Sequence, residues 1–332
     1  MFTLYRTTLA MICLASLLPL ASQAADASAP DAATQAPAPV ARAPLPERSQ
    51  DDAAALERRV PKAEQQMLEA AGEAFLALWK PANDSDPKGA VIIVPGAGEN
   101  ADWPTTVGPL RRGFPDAGWH TLSVSLPDLL AERPQARVDA TPAAAAEAPK
   151  GESAPAKDTP ADANANVAQA TAPDADAAEA TDAVEADAHN DEADAERIFA
   201  RLDAAVAYAQ QQKARSIVLL GNGSGAYWAA RYLSDKRPPQ VQKLVMVAAQ
   251  TPARVEHDLL SLTPTLKVPT ADFYYASRVQ DSQAAQQRLQ ASKRQKDSQY
   301  RQVALIAMPG NKPAEQEQLL RRVRGWLSPQ PE

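Results

Sequence analysis

Cysteine and histidine are nearly absent from the 332 residues, which hold one of the first and three of the second. The cysteine, Cys13, falls inside an amino-terminal apolar run. A chain processed beyond that run would carry no thiol, no disulfide and no thiolate ligand for a metal. His120, His189 and His257 are far apart and show no metal-ligand spacing with other His, Cys, Asp or Glu. No metal or other cofactor is implied. Phe, Trp and Tyr make up only 5% of the chain, and no Arg/Lys stripe with interleaved aromatics occurs, which argues against nucleic acid as a partner. The amino-terminal apolar run, Leu9 to Leu20, is shorter than the ~20 residues of a spanning helix.

That run belongs to a stretch with the pattern of a secretory signal peptide. Residues 1–24 combine Arg6, the apolar segment, and the small residues Ser22 and Ala24 ahead of an expected cleavage after Ala24. Export of a cysteine-free mature chain points to a bacterial periplasm, with no transmembrane segment left after cleavage. Residues 25–50 are rich in Ala and Pro and are expected to form a disordered linker.

A second absence lies in mid-chain. Between Arg137 and Arg197 there is no Leu, Ile, Met, Phe, Trp or Tyr. Such a segment cannot bury enough apolar surface to offset its ordering entropy. Residues 134–194 are therefore expected as a disordered insert within one domain spanning 51–328. Charge follows the same division. Residues 138–196 hold fifteen acids and two lysines, or −13; the whole chain is −7, so the remainder is +6. The mildly basic remainder would suit an anionic envelope component or an ordinary solvated surface.

Outside the insert, apolar runs alternate with helical patterns. Glu73–Lys80, Gly89–Val94, Trp119–Leu126, Ser216–Leu220, Lys243–Ala249, Asp272–Ser277 and Gln302–Met308 read as strands. Helices are expected within Asp102–Phe114, from Ala195 to Ala209, from Ala226 to Leu233, over Glu256–Leu262, over Gln283–Gln299 and over Glu315–Leu327. Residues 51–71 read as short helices interrupted at Pro61. The alternation predicts an α/β fold: three layers around a doubly wound, mostly parallel sheet of six to eight strands.

The stretch Ser216-Ile217-Val218-Leu219-Leu220-Gly221-Asn222-Gly223-Ser224-Gly225-Ala226-Tyr227-Trp228 reads as strand, sharp glycine turn and helix. That is the context of a nucleophile elbow. With the Pro-Gly loops at Pro95-Gly96 and Pro309-Gly310, it resembles the α/β-hydrolase superfamily. More narrowly, several runs resemble an uncharacterised family of exported bacterial α/β-hydrolase-like proteins, a domain of unknown function. They are Phe75-Leu76-Ala77-Leu78-Trp79, Asp102-Trp103-Pro104, Gly118-Trp119-His120-Thr121-Leu122, Ser125-Leu126-Pro127-Asp128, the elbow itself, and Arg322-Val323-Arg324-Gly325-Trp326-Leu327. The resemblance implies the architecture and leaves the activity open.

The register of the elbow matters most. Very small residues are required two before and two after the nucleophile, and Gly221 and Gly225 flank Gly223 in this way. Ser224 then stands one residue beyond the nucleophile position. The superfamily places its histidine after the last strand, but Pro309-Gly310-Asn311-Lys312-Pro313 has none. His120 opens a strand and suits a structural role, while Asp272 and Asp281 lie near the penultimate strand as candidate acids. Two of three triad members are missing.

Gly96 and Gly98, with the amides of Ser224 and Gly225 at a helix start, could still form an anion-friendly pocket. Glu99, Asn222, Gly223 and Tyr227 complete the candidate site. The reading that follows is a pseudo-hydrolase that binds a small molecule or an envelope component. The alternative is an esterase or amidase using Ser224 with a non-standard base.

Overall fold

The computed structural model describes residues 47–130 and 176–328, without the side chains of residues 176–189. The expected signal peptide, nearly all of the linker and most of the acidic insert lie outside the described residues.

Eight strands form one sheet: β1 (Gln65–Ala70), β2 (Glu73–Lys80), β3 (Gly89–Val94), β4 (Trp119–Val124), β5 (Ile217–Asn222), β6 (Val241–Val247), β7 (Thr270–Tyr275) and β8 (Tyr300–Leu305). Their spatial order is β1-β2-β4-β3-β5-β6-β7-β8. The hairpin β1–β2 and the β2–β4 pair are antiparallel, and every other pairing is parallel. The helices are α1 (Arg48–Arg59), α2 (Val107–Gly113), α3 (Asp176–Gln211), α4 (Ser224–Asp235), α5 (Leu259–Leu262), α6 (Val279–Lys293) and α7 (Lys312–Leu327). This is the expected three-layer, doubly wound α/β-hydrolase-like fold.

Both faces of the central strands are dry, which explains why β3 and β5 read as unbroken apolar runs. On one face, Ile92 and Leu219 pack with Ile198, Leu202 and Tyr227 from α3 and α4. On the other, Val91, Ile93 and Val218 meet Leu110 of α2 and Leu319 and Val323 of α7. The period of two along each strand feeds both layers at once. Among the described residues no helix is long and apolar enough to cross a membrane.

Two expectations are corrected. Residues 51–71 are not all helical: after α1 the chain forms β1, which pairs with β2 across a turn whose residues Ala71 and Gly72 have φ of 51° and 81°. Two consecutive positive φ values make the twist that a two-residue hairpin needs. Strand pairing outweighs the weak intrinsic preference of Gln65-Gln66-Met67-Leu68-Glu69. The insert also ends earlier than expected, because the chain is helical from Asp176, and Asp191 and Asp194 are buried. Both acids have partners. Asp191 pairs with Arg231 at 2.7 Å, and the Asp194 carboxylate accepts from the Leu130 amide at 2.9 Å. Burial of a charge is tolerable when it is paired in this way.

Candidate functional site

Strand β5 ends in a turn so tight that two of its glycines have no substitute. A Cβ on Gly225 would lie 2.3 Å from the carbonyl oxygens of Val94 and Pro95, and one on Gly221 would lie 2.4 Å from Ala226 Cα. Gly223, between them, has φ 55° and ψ −123°, a backbone conformation that costs any other residue dearly. Its surroundings are open: the nearest atom to an added Cβ is Gly96 Cα, 3.9 Å away. The turn therefore has the geometry of a nucleophile elbow with space at its apex and no side chain there.

Ser224, the first residue of α4, is turned back onto the loop after β3. Its Oγ accepts a hydrogen bond from the Ala97 amide at 2.6 Å. Beside it, the Glu99 carboxylate accepts from the Gly96 amide at 2.8 Å and from Asn222 Nδ2 at 2.9 and 2.8 Å. In an acyl-transfer site, amides of this loop would face a developing oxyanion. Here the Gly96 and Ala97 amides are already satisfied by side chains of the same chain. Of the amides in the loop of the expected anion-friendly pocket, those of Gly96 and Ala97 thus already have partners.

These residues open onto a cavity of about 560 Å³ at the carboxyl ends of the strands. Such a position is where open α/β sheets bind ligands, and the volume falls within the range of small-molecule sites. Gly96, Glu99, Asn222, Gly223 and Ser224 line one side. Gln250 and Thr251, from the loop after β6, form part of the wall. Tyr275 and Arg278 close the end of β7, with Lys312, Glu315 and Gln316 of α7 opposite. The Arg278 guanidinium lies 4.2 Å from the Tyr275 ring centroid and 3.7 Å from Asp281. Burial, and then the neighbouring Glu315, push the Tyr275 hydroxyl up to about 12. Glu315 also accepts from the Met308 amide at 2.7 Å. Gln316 ties α7 to the loop before α2 through the Pro104 and Thr105 carbonyls, at 3.0 and 3.2 Å.

Three candidates fall outside this cavity. Tyr227 is fully buried in the core beneath α4, 3.4 Å from Arg231, and forms no ligand wall. Gly225 is packed against the end of β3. Gly98 faces a neighbouring pocket of about 30 Å³ and accepts from Arg48 at 3.0 Å. The acids named from sequence are also placed elsewhere. Asp272 is buried in β7, paired with Arg288 at 2.8 Å and accepting from the Tyr300 hydroxyl. Asp281 is in the first turn of α6.

No described histidine lines the cavity. His120 Nδ1 accepts from the Ala82 amide at 3.0 Å, and the ring stacks on Trp79. Burial holds its pKa below the usual value. His257 is exposed beside Glu256, and the His189 side chain lies outside the described residues. Among the described residues no group of three or more His, Cys, Asp or Glu could hold a metal ion.

Sequence reasoning missed Gln250, Thr251, Tyr275, Arg278, Lys312, Glu315 and Gln316. Each lies at or beyond the carboxyl end of β6, β7 or β8, so strand position was the available signal.

The family model described as Protein of unknown function (DUF3530) matches residues 7–329. No curated protein matches the sequence. Among solved structures, Est1E from Butyrivibrio proteoclasticus is similar at 9% identity, with 80% of this chain and 97% of that chain covered and a TM-score of 0.49. The Pyrococcus furiosus esterase Pf2001 is similar at 11% identity, over 80% and 89% of the two chains, with a TM-score of 0.49. An α/β serine hydrolase without lid from Xanthomonas campestris is similar at 14% identity, over 80% and 96%, with a TM-score of 0.46.

Proposed function

The chain belongs to the DUF3530 family, a family of unknown function, and we propose that it is an exported protein on an α/β-hydrolase-like fold without serine-hydrolase chemistry. It acts as a binding or accessory protein of the cell envelope, taking a small ligand into the cavity above β5. Export rests on the amino-terminal pattern of Arg6, the Leu9–Leu20 run and Ala24.

The elbow carries the reading. A residue that attacks a carbonyl must present a nucleophilic atom at the apex, and a base must lie within hydrogen-bond reach. Gly223 has no side chain, and Pro309-Gly310-Asn311 after β8 offers no histidine. Ser224 Oγ is one residue away and bonded to the Ala97 amide. Two oxyanion donors are satisfied internally as well. Loss of any one feature could be compensated; together they leave a shaped pocket without the means of acyl transfer.

Turnover of a short-chain nitrophenyl ester tests this. The mature protein is expected to match its Ser224→Ala variant, both at the buffer rate. Turnover by the wild type that disappears in Ser224→Ala would replace the binding reading with an esterase using Ser224.

A further inference from the structure

The side chains that satisfy the Gly96 and Ala97 amides reverse the electrostatic preference of the pocket. Where an oxyanion site would present N–H groups, this one presents a carboxylate, Glu99, and a hydroxyl, Ser224. Glu99 is held by two donors, the Gly96 amide and the Asn222 side-chain amide, and both are neutral. No Lys, Arg or His is within ion-pair distance of it among the described residues. An ionised carboxylate can accept about four hydrogen bonds, so capacity remains after these contacts. A half-buried carboxylate with no cation in ion-pair contact favours one there more strongly than a carboxylate in open water does.

The same cavity also has two basic residues and a second acid in its lining. Arg278, Lys312 and Glu315 line it, and Asp281, outside the lining, lies 3.7 Å from Arg278. The charged lining residues, Glu99, Glu315, Arg278 and Lys312, sum to zero, so the preference for a cation is local to the Glu99 carboxylate.

We propose that the cavity binds a ligand through a primary ammonium group seated on Glu99, with Ser224 Oγ as a neighbouring acceptor. This rests on the binding reading above and specifies the chemical class of its ligand. The ammonium suits the place: it is compact, carries three donors and needs acceptors that converge from one side. The elbow turn then has a second use. With no side chain at Gly223, the apex itself adds no bulk to the cavity that Glu99 lines.

The test is saturation-transfer NMR on the full mature chain with hexylamine, 1-hexanol and hexanoate at equal concentration. Hexylamine is expected to receive saturation preferentially. Its signal should fall by about tenfold in Glu99→Gln, the scale expected from losing a charge-assisted contact, and should persist in the exposed α7 control Glu317→Gln. Should Glu99→Gln fail to fold, rising ionic strength applied to the wild type supplies the second readout, because a charge-borne contact weakens with screening. Preference for hexanoate, equal response to all three probes, no response to any of them, or amine binding indifferent to both Glu99→Gln and salt would overturn the proposal. Ester turnover dependent on Ser224 would instead sink the binding reading, so the two failures are separable.

Discussion

The Ala97 amide donates to Ser224 Oγ at 2.6 Å, joining the loop after β3 to the residue beside the elbow apex. One hydrogen bond thereby occupies a donor of the would-be oxyanion site. The Gly96–Glu99 contact at 2.8 Å does the same for the adjacent amide. An acyl oxyanion entering here would have to displace both side chains.

The elbow glycines should rank by crowding. Gly225→Ala drives a Cβ to 2.3 Å from two backbone carbonyls that cannot rotate away. It should cost more than about 3 kcal/mol, at or beyond the usual range for overpacking. Gly223→Ala meets open space and pays only for its positive φ, about 1–3 kcal/mol. Urea unfolding of the two variants checks the order, and a more damaging Gly223→Ala would contradict it.

Stability should decline on mild acidification partly through His120. Burial holds its folded pKa below the ordinary imidazole value. The unfolded chain therefore takes up a proton where the folded chain resists it. The stabilisation is intact above the unfolded value and is lost as pH falls from there through the lower folded value. His120→Asn can retain an acceptor for the Ala82 amide without titrating. Its melting temperature should vary less between about pH 7 and 5 than that of the wild type. Identical slopes in differential scanning calorimetry would remove His120 from the account.

The fold was legible where the chain is buried on both sides. Gly89–Val94 reads as a strand to the residue, because a central parallel strand needs no polar face. Strand β1 was not legible, since its Gln and Glu residues suit an edge and also suit a helix. The register of the elbow could be read from Gly221 and Gly225, where backbone contact admits nothing larger. The Glu99 contacts could not. The bond to Asn222 spans 123 residues, and nothing in the local pattern of Gly98-Glu99-Asn100 announces it. Arg231 was likewise silent: its buried partner Asp191 belongs to a stretch whose composition signals disorder.

That pair yields a sharper expectation. Arg231 and Asp191 have side chains only 4% and 3% exposed. Removing the acid leaves a buried guanidinium supported by Glu192 and Asp235 at the surface. Asp191→Ala should cost about 3 kcal/mol, and a cost within error of zero would mean that the Asp191–Arg231 pair does not hold α3 to the body.

The central claim is that the elbow carries no nucleophile. Intact-mass spectrometry of the mature protein after incubation with a fluorophosphonate tests it most directly. The account predicts an unmodified mass, with Ser224 unlabelled. A single adduct on the wild type that is missing from Ser224→Ala would contradict it.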